Sequence, residues 1–145
     1  MQIEHKQQPN DWTCVHTCLS MVTGTPVEEL LERFGDHAIG FDEMATVFVE
    51  HGIFPEFTTN QHHPFDRCGV YFVAAPSLNL PGKLHQVVVE ASEDGYIVHD
   101  PQAGREGKRW YRNEDVVSGD LARAEVIYLD TFTLRKMEGR KPLPE

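Results

Sequence analysis

The stretch that decides the fold reads QPNDWTCVHTCLSMVTG and spans residues 8–24. Its polar opening, with Pro9 and Asn10, is typical of a turn. From Cys14 onward, apolar residues recur at helical spacing, and Cys14 and Cys18 fall on one face. We therefore predict a largely buried helix over residues 14–23 that ends at Gly24. This arrangement places a cysteine at the N-terminal end of a buried helix.

Two more helices and then a series of strands are predicted beyond this first helix. Thr25-Pro26-Val27-Glu28 forms a capping box with Pro26 at the first helical position, which predicts a helix ending at Gly35. Asp42 is expected to cap a third helix that runs through Val49. Short β-branched or aromatic runs bounded by turn residues then predict strands at residues 54–58, 69–74, 84–90, 96–100 and 124–129. Helices first and antiparallel strands second indicate an α+β domain.

The composition of the chain narrows the classes of protein and partner. Its 145 residues fit one domain, which we place at residues 1–135, followed by a frayed polar tail at residues 136–145. A net charge of −10 argues against a nucleic-acid partner, which needs clustered Lys and Arg. No apolar run approaches the ~18 residues of a membrane span, and the N-terminus lacks the apolar core of a signal peptide. We therefore expect a cytoplasmic protein with three reduced cysteines.

Cys14 has the surroundings of an activated nucleophile. A free thiol has a pKa of about 8.5, and a helix N-terminus or a nearby imidazolium lowers that pKa to roughly 3.5–7.5. The backbone N–H of Cys14 lies at the start of the predicted helix and can donate to a developing oxyanion. Gln8, six residues earlier and brought back by the intervening turn, offers a side-chain amide as a second donor. These groups indicate thiol-based acyl transfer.

A base and a group that orients it are predicted on one hairpin, formed by the strands on either side of residues 92–95. In the register where Ala91 opposes Tyr96, His85 is a diagonal neighbour of Asp100. The alternative register places His85 and Asp100 directly opposite each other. Both registers put the two side chains on the same face, because side chains alternate along a strand with a period of two. The hairpin thus predicts a His–Asp pair, whereas its contact with the nucleophile depends on the fold.

Residues 8–19 resemble the active-site opening of the papain-like cysteine peptidases, and in particular of the double-glycine leader peptidases found in bacteriocin-exporting transporters of bacteria. In that branch a Gln six residues before the Cys completes the oxyanion hole, and a second Cys often follows four residues after it. Gln8 and Cys18 match both positions. The family's His opens an apolar strand, as in HQVVV at residues 85–89, and its Asp begins a turn like that of residues 100–104, DPQAG.

The resemblance implies a papain-like fold, with N-terminal helices packed on an antiparallel sheet. It also implies a cysteine peptidase that cleaves a peptide or amide bond through a thioester, with a peptide or protein substrate and without a metal or organic cofactor. Cys14, His85, Asp100 and Gln8 would be its catalytic residues. Val15 departs from the family pattern, which has Gly at this position, and we interpret the change as altered specificity.

Other functions stay open at this point. A transglutaminase-like or deamidase reaction would use the same thioester, and the sequence does not select the acceptor. A papain-like domain that binds a peptide without cutting it is the non-enzymatic alternative, and Val15 is the feature that favours it. A metal site formed by Cys14, Cys18 and His16 is disfavoured, because one pair of cysteines on a single helix is a poor zinc pattern.

Overall fold

The computed structural model describes residues 3–10, 12–35, 37–57, 65, 67–76, 84–102 and 125–130. Within these residues three helices precede five strands: α1 (Cys14–Thr23), α2 (Val27–Phe34), α3 (Phe41–Glu50), β1 (Phe54–Phe57), β2 (Gly69–Pro76), β3 (Leu84–Ser92), β4 (Gly95–His99) and β5 (Glu125–Asp130). The described strands form one antiparallel sheet in the order β1-β5-β2-β3-β4. The predicted α+β class, with helices on an antiparallel sheet, is confirmed. The predicted tail at residues 136–145 lies outside the described residues.

Helix α1 has the bounds that the sequence predicts. Gly24 ends it with a φ of 79°, in the left-handed region that glycine adopts without strain, and its N–H donates to the Ser20 carbonyl at 2.9 Å. All residues from His16 to Val22 are buried. None of the described helices is long and apolar enough to cross a membrane.

The predicted caps of α2 and α3 are wrong. Pro26 precedes α2 with a ψ of 142°, an extended conformation, so the helix begins one residue later, at Val27. The hydroxyl of Thr25 contacts two neighbouring side chains instead of capping the helix. At α3 the N-cap position belongs to Gly40, and Asp42 lies inside the first turn. A carboxylate there still interacts favourably with the positive end of the helix.

Hydrophobic clusters cover both faces of the sheet. The helices bury one face, where the rings of Phe48 and Phe72 meet edge to face with centroids 5.1 Å apart. The second cluster comprises Phe65, Tyr71, Val73, Val87, Val89, Ala91, Val98 and Val126. Since side chains alternate along β3, His85 lies on the same face as Val87 and Val89.

The hairpin of β3 and β4 settles the register that the sequence left open. Ala91 pairs with Tyr96 and Ser92 with Gly95, which leaves Glu93 and Asp94 as a two-residue turn. This is the register in which His85 and Asp100 are diagonal neighbours. Pairing with β4 covers β3 only from Val88 to Ser92.

Candidate active site

The N-terminal end of α1 lies against the part of β3 that β4 does not cover. The Cys18 thiol donates to the carbonyl of Gln86, with a sulfur–oxygen distance of 3.3 Å. The backbone of the same residue also hydrogen-bonds the Cys14 thiol. Two cysteines on successive turns of the helix therefore contact one residue of the strand, directly beside His85.

His85 connects the thiol to a buried carboxylate. Its Nε2 lies 2.5 Å from Oδ1 of Asp100, which is completely buried. The same Oδ1 accepts a hydrogen bond from the backbone N–H of Gln102 at 2.8 Å. The imidazole also hydrogen-bonds the Cys14 thiol. Because Nε2 is engaged with Asp100, Nδ1 is the ring nitrogen that serves the thiol.

The pKa values of the thiol and the imidazole shift in opposite directions. Burial raises the pKa of Cys14, but hydrogen bonds from His85 and from the backbone of Gln86, with the positive imidazolium, lower it below its ordinary value. Burial lowers the pKa of His85, but Asp100 and Cys14 outweigh burial and raise it to about 9. Both shifts favour a thiolate–imidazolium pair.

The pKa of Cys18 shifts in the opposite direction from that of Cys14. Cys18 is completely buried, and burial together with the nearby charges of Cys14 and Asp100 raises its pKa well above 9.0. Cys18 therefore stays protonated and acts as a hydrogen-bond donor to β3, in agreement with its expected place in the core.

Gln8 lies between the turn that follows Asp100 and the turn that precedes α1. Its backbone N–H donates to the carbonyl of Pro101 at 2.8 Å, and its side-chain Nε2 donates to the carbonyl of Asn10 at 2.6 Å. The side chain is buried, and its Oε1 accepts no hydrogen bond from the described residues. An amide nitrogen carries two hydrogens, so one remains for an oxyanion after the bond to Asn10.

The contacts of three residues near the site can be compared with the sequence interpretation. Val15 packs against the helix–sheet cluster, so its side chain contributes to the core. His99 directs Nε2 to Glu90 at 2.6 Å, as expected from strand alternation. The backbone contacts of Gln86 carried no sequence signal, because every residue type except proline supplies the same N–H and C=O groups.

The arrangement of the described side chains gives no support to a metal site formed by Cys14, Cys18 and His16. Within the described residues, no group of three or more His, Cys, Asp or Glu side chains is placed to hold a metal ion. Nε2 of His16 instead hydrogen-bonds the carbonyl of Gly35 at 2.7 Å. All three cysteines are unpaired thiols.

No protein-family model and no curated protein matches the sequence. A solved structure of a double glycine motif protease from an AMS/PCAT transporter, in complex with its leader peptide, matches with a TM-score of 0.62. The two chains share a fold. The alignment covers 88% of this chain and 90% of the protease chain, at 13% sequence identity. The fold that residues 8–19 imply is thus found in a protein that has little overall sequence similarity to this chain.

Proposed function

We propose that this chain is a cysteine peptidase that cleaves a peptide or amide bond through a thioester. Cys14 is the nucleophile, His85 the acid and base, and Asp100 the group that orients and charges the imidazole. The side chain of Gln8 and the backbone N–H of Cys14 form the oxyanion hole. The protease of shared fold binds a leader peptide, which supports a peptide as the substrate class.

The reaction proceeds in two steps. The Cys14 thiolate attacks the carbonyl carbon, and the negative charge on the carbonyl oxygen receives hydrogen bonds from the oxyanion hole. The imidazolium of His85 gives its proton to the leaving amine as the C–N bond breaks, which leaves a thioester. Water then attacks the thioester, His85 takes the proton, and release of the acid restores the thiolate.

One observation carries this proposal: the imidazole of His85 hydrogen-bonds both Asp100 and the Cys14 thiol. This arrangement gives the base both a group that orients it and a nucleophile within reach. The opposite pKa shifts of His85 and Cys14 are what a nucleophile and base require and what a core cysteine lacks.

Selective alkylation tests the activation of the thiol. At about pH 6 an ordinary thiol is almost fully protonated and reacts slowly with iodoacetamide, whereas a thiolate paired with an imidazolium reacts fast. We expect modification of Cys14 alone, lost in His85→Ala, with the exposed Cys68 as the internal control. Equal labelling of Cys14 and Cys68, and only at alkaline pH, would contradict the proposal.

A peptide library tests the reaction itself and separates the alternatives. The library includes peptides with a Gly-Gly pair, and Cys14→Ala is the control for cleavage by contaminants. New peptide termini identify a peptidase, whereas deamidated or cross-linked products identify another thiol acyl transfer. Peptides that bind and stay intact, together with an unreactive thiol, identify a binding domain. The packing of Val15 on the core weakens this last alternative, because the side chain that favoured it is engaged elsewhere.

A further inference from the structure

Thr13 occupies the N-cap position of α1, directly before the nucleophile, and is completely buried. A threonine at this position ordinarily accepts a hydrogen bond from an N–H of the first helical turn. Among the described hydrogen bonds of Thr13, none from the hydroxyl caps α1. The hydroxyl instead donates to the carbonyl of Asn10 at 3.2 Å and accepts from the Asn10 N–H at 3.4 Å.

The carbonyl of Asn10 is also the anchor of the proposed oxyanion donor. Nε2 of Gln8 donates to this oxygen at 2.6 Å. The hydroxyl of Thr13 and the amide of Gln8 therefore converge on a single carbonyl. The backbone N–H of Trp12 donates to the side-chain oxygen of Asn10 at 3.2 Å and closes the same turn. The turn thus links the residue before the nucleophile to the side chain that would receive the oxyanion.

The direction of the Thr13 hydroxyl also affects the first turn of α1. The backbone of Val15 hydrogen-bonds the Cys14 thiol and contributes to its lowered pKa. A capping hydroxyl on Thr13 would compete for the N–H groups of this first turn. With the hydroxyl directed at Asn10, it does not compete with the thiol for the backbone of Val15.

We propose that Thr13 is a positioning residue of the oxyanion hole and acts by fixing the Asn10 carbonyl that orients Gln8. This inference rests on the proposed function, since it assumes that Gln8 stabilises an oxyanion. Loss of the Thr13 hydroxyl removes one of the two side chains that hold the carbonyl, and the Gln8 amide then shifts from its productive position. A shift of about 1 Å in a reacting geometry can slow a reaction by about 100-fold.

Two reactions of the same thiol separate positioning from general damage. Iodoacetamide alkylation is a displacement without an oxyanion, so its rate reports only the thiolate. Acylation by p-nitrophenyl acetate passes through a tetrahedral oxyanion, and the released p-nitrophenolate gives a burst that can be timed. For Thr13→Val, which is nearly isosteric, we expect unchanged alkylation of Cys14 and an acylation burst slowed by about 10- to 100-fold.

Two matched variants distinguish loss of the Thr13 hydroxyl from general damage to the fold. Thr13→Ser and Thr13→Ala both lose the methyl group, and only alanine loses the hydroxyl. We expect serine to restore the burst and alanine to slow it. In a Gln8→Ala background, Thr13→Val should slow the burst no further, because the group it positions is already absent.

The outcomes distinguish the two proposals. Rapid alkylation and a burst in the wild type, with an unchanged burst in Thr13→Val or equal bursts in the serine and alanine variants, would overturn only the role of Thr13. Full additional slowing in the Gln8→Ala background would overturn it as well, since Thr13 would then act independently of Gln8. A wild-type protein with neither rapid alkylation nor a burst would overturn the proposed function itself.

Discussion

Replacement of the buried carboxylate by an amide, Asp100→Asn, tests the electrostatics of the site most directly. Asparagine has nearly the same shape as aspartate and keeps an oxygen that accepts the hydrogen bond from Nε2 of His85. It also keeps the acceptor for the backbone N–H of Gln102, which lies 2.8 Å from the carboxylate. The substitution therefore removes the negative charge and keeps an acceptor for both of these hydrogen bonds.

The expected effect follows from the pKa of His85. Its rise from 6.5 to about 9 corresponds to about 3 kcal/mol in favour of the imidazolium. Burial opposes this rise, and the hydrogen bond to Asp100 is the largest contribution in its favour, ahead of those from Cys14. Without the carboxylate charge, we expect the pKa of His85 to fall below its wild-type value of about 9. The pKa of Cys14 should rise in turn, because a neutral imidazole stabilises a thiolate less than an imidazolium does.

Nuclear magnetic resonance of isotopically labelled histidine measures this change. The chain has eight histidines, and a His85→Gln variant assigns the resonance. In Asp100→Asn the His85 ring should titrate at lower pH than in the wild type, and alkylation of Cys14 should begin at higher pH. A His85 ring that still titrates near pH 9 in this variant would refute the assignment of Asp100 as the main source of the raised pKa.

Three further predictions concern stability. In Cys14→Ala the thiol's opposing contribution is absent and Asp100 still raises the pKa of His85, so the free energy of unfolding should fall as the pH rises above 6.5. The fall should be smaller than about 3 kcal/mol in urea denaturation, and a flat profile would contradict it. Cys18→Val should lower stability by about 1 kcal/mol through loss of its hydrogen bond to β3; Cys18→Ser keeps a donor and is the control, and equal losses in both variants would argue against that bond. Phe48→Ala should cost about 3–5 kcal/mol because Phe48 is fully buried. Val49→Ala, on the same helix and 52% exposed, should change stability by no more than about 0.5 kcal/mol; similar losses in the two variants would mean that α3 does not bury Phe48 as described.

The hairpin and the first helix were predictable because their signals are local. Helical spacing and a terminal glycine determine the bounds of α1, and a strong turn at residues 92–95 limits the register of β3 and β4. The alternation of side chains then places His85 and Asp100 on one face in either register. His85 and Asp100 belong to one hairpin and are close in sequence, so local patterns are sufficient to pair them.

The rest of the site depends on contacts that local patterns do not encode. The hydrogen bond from Cys18 to Gln86 joins residues 68 positions apart, and the strand contributes backbone atoms that carry no residue preference. The capping-box prediction for α2 failed because the threonine hydroxyl has competing partners. The hydroxyl of Thr25 contacts other side chains and Pro26 stays extended, and the sequence motif contains no information about either alternative.

The docking of α1 against β3 has a consequence for the order in which reactivity arises during synthesis. A ribosome makes Cys14 long before His85 and Asp100, so the nascent chain carries a thiol of ordinary acidity. Under the proposed function, the sulfur becomes a strong nucleophile only when the finished hairpin meets the helix. Under the same proposal, rapid alkylation of Cys14 near pH 6 therefore reports that the β3–β4 hairpin has docked on α1.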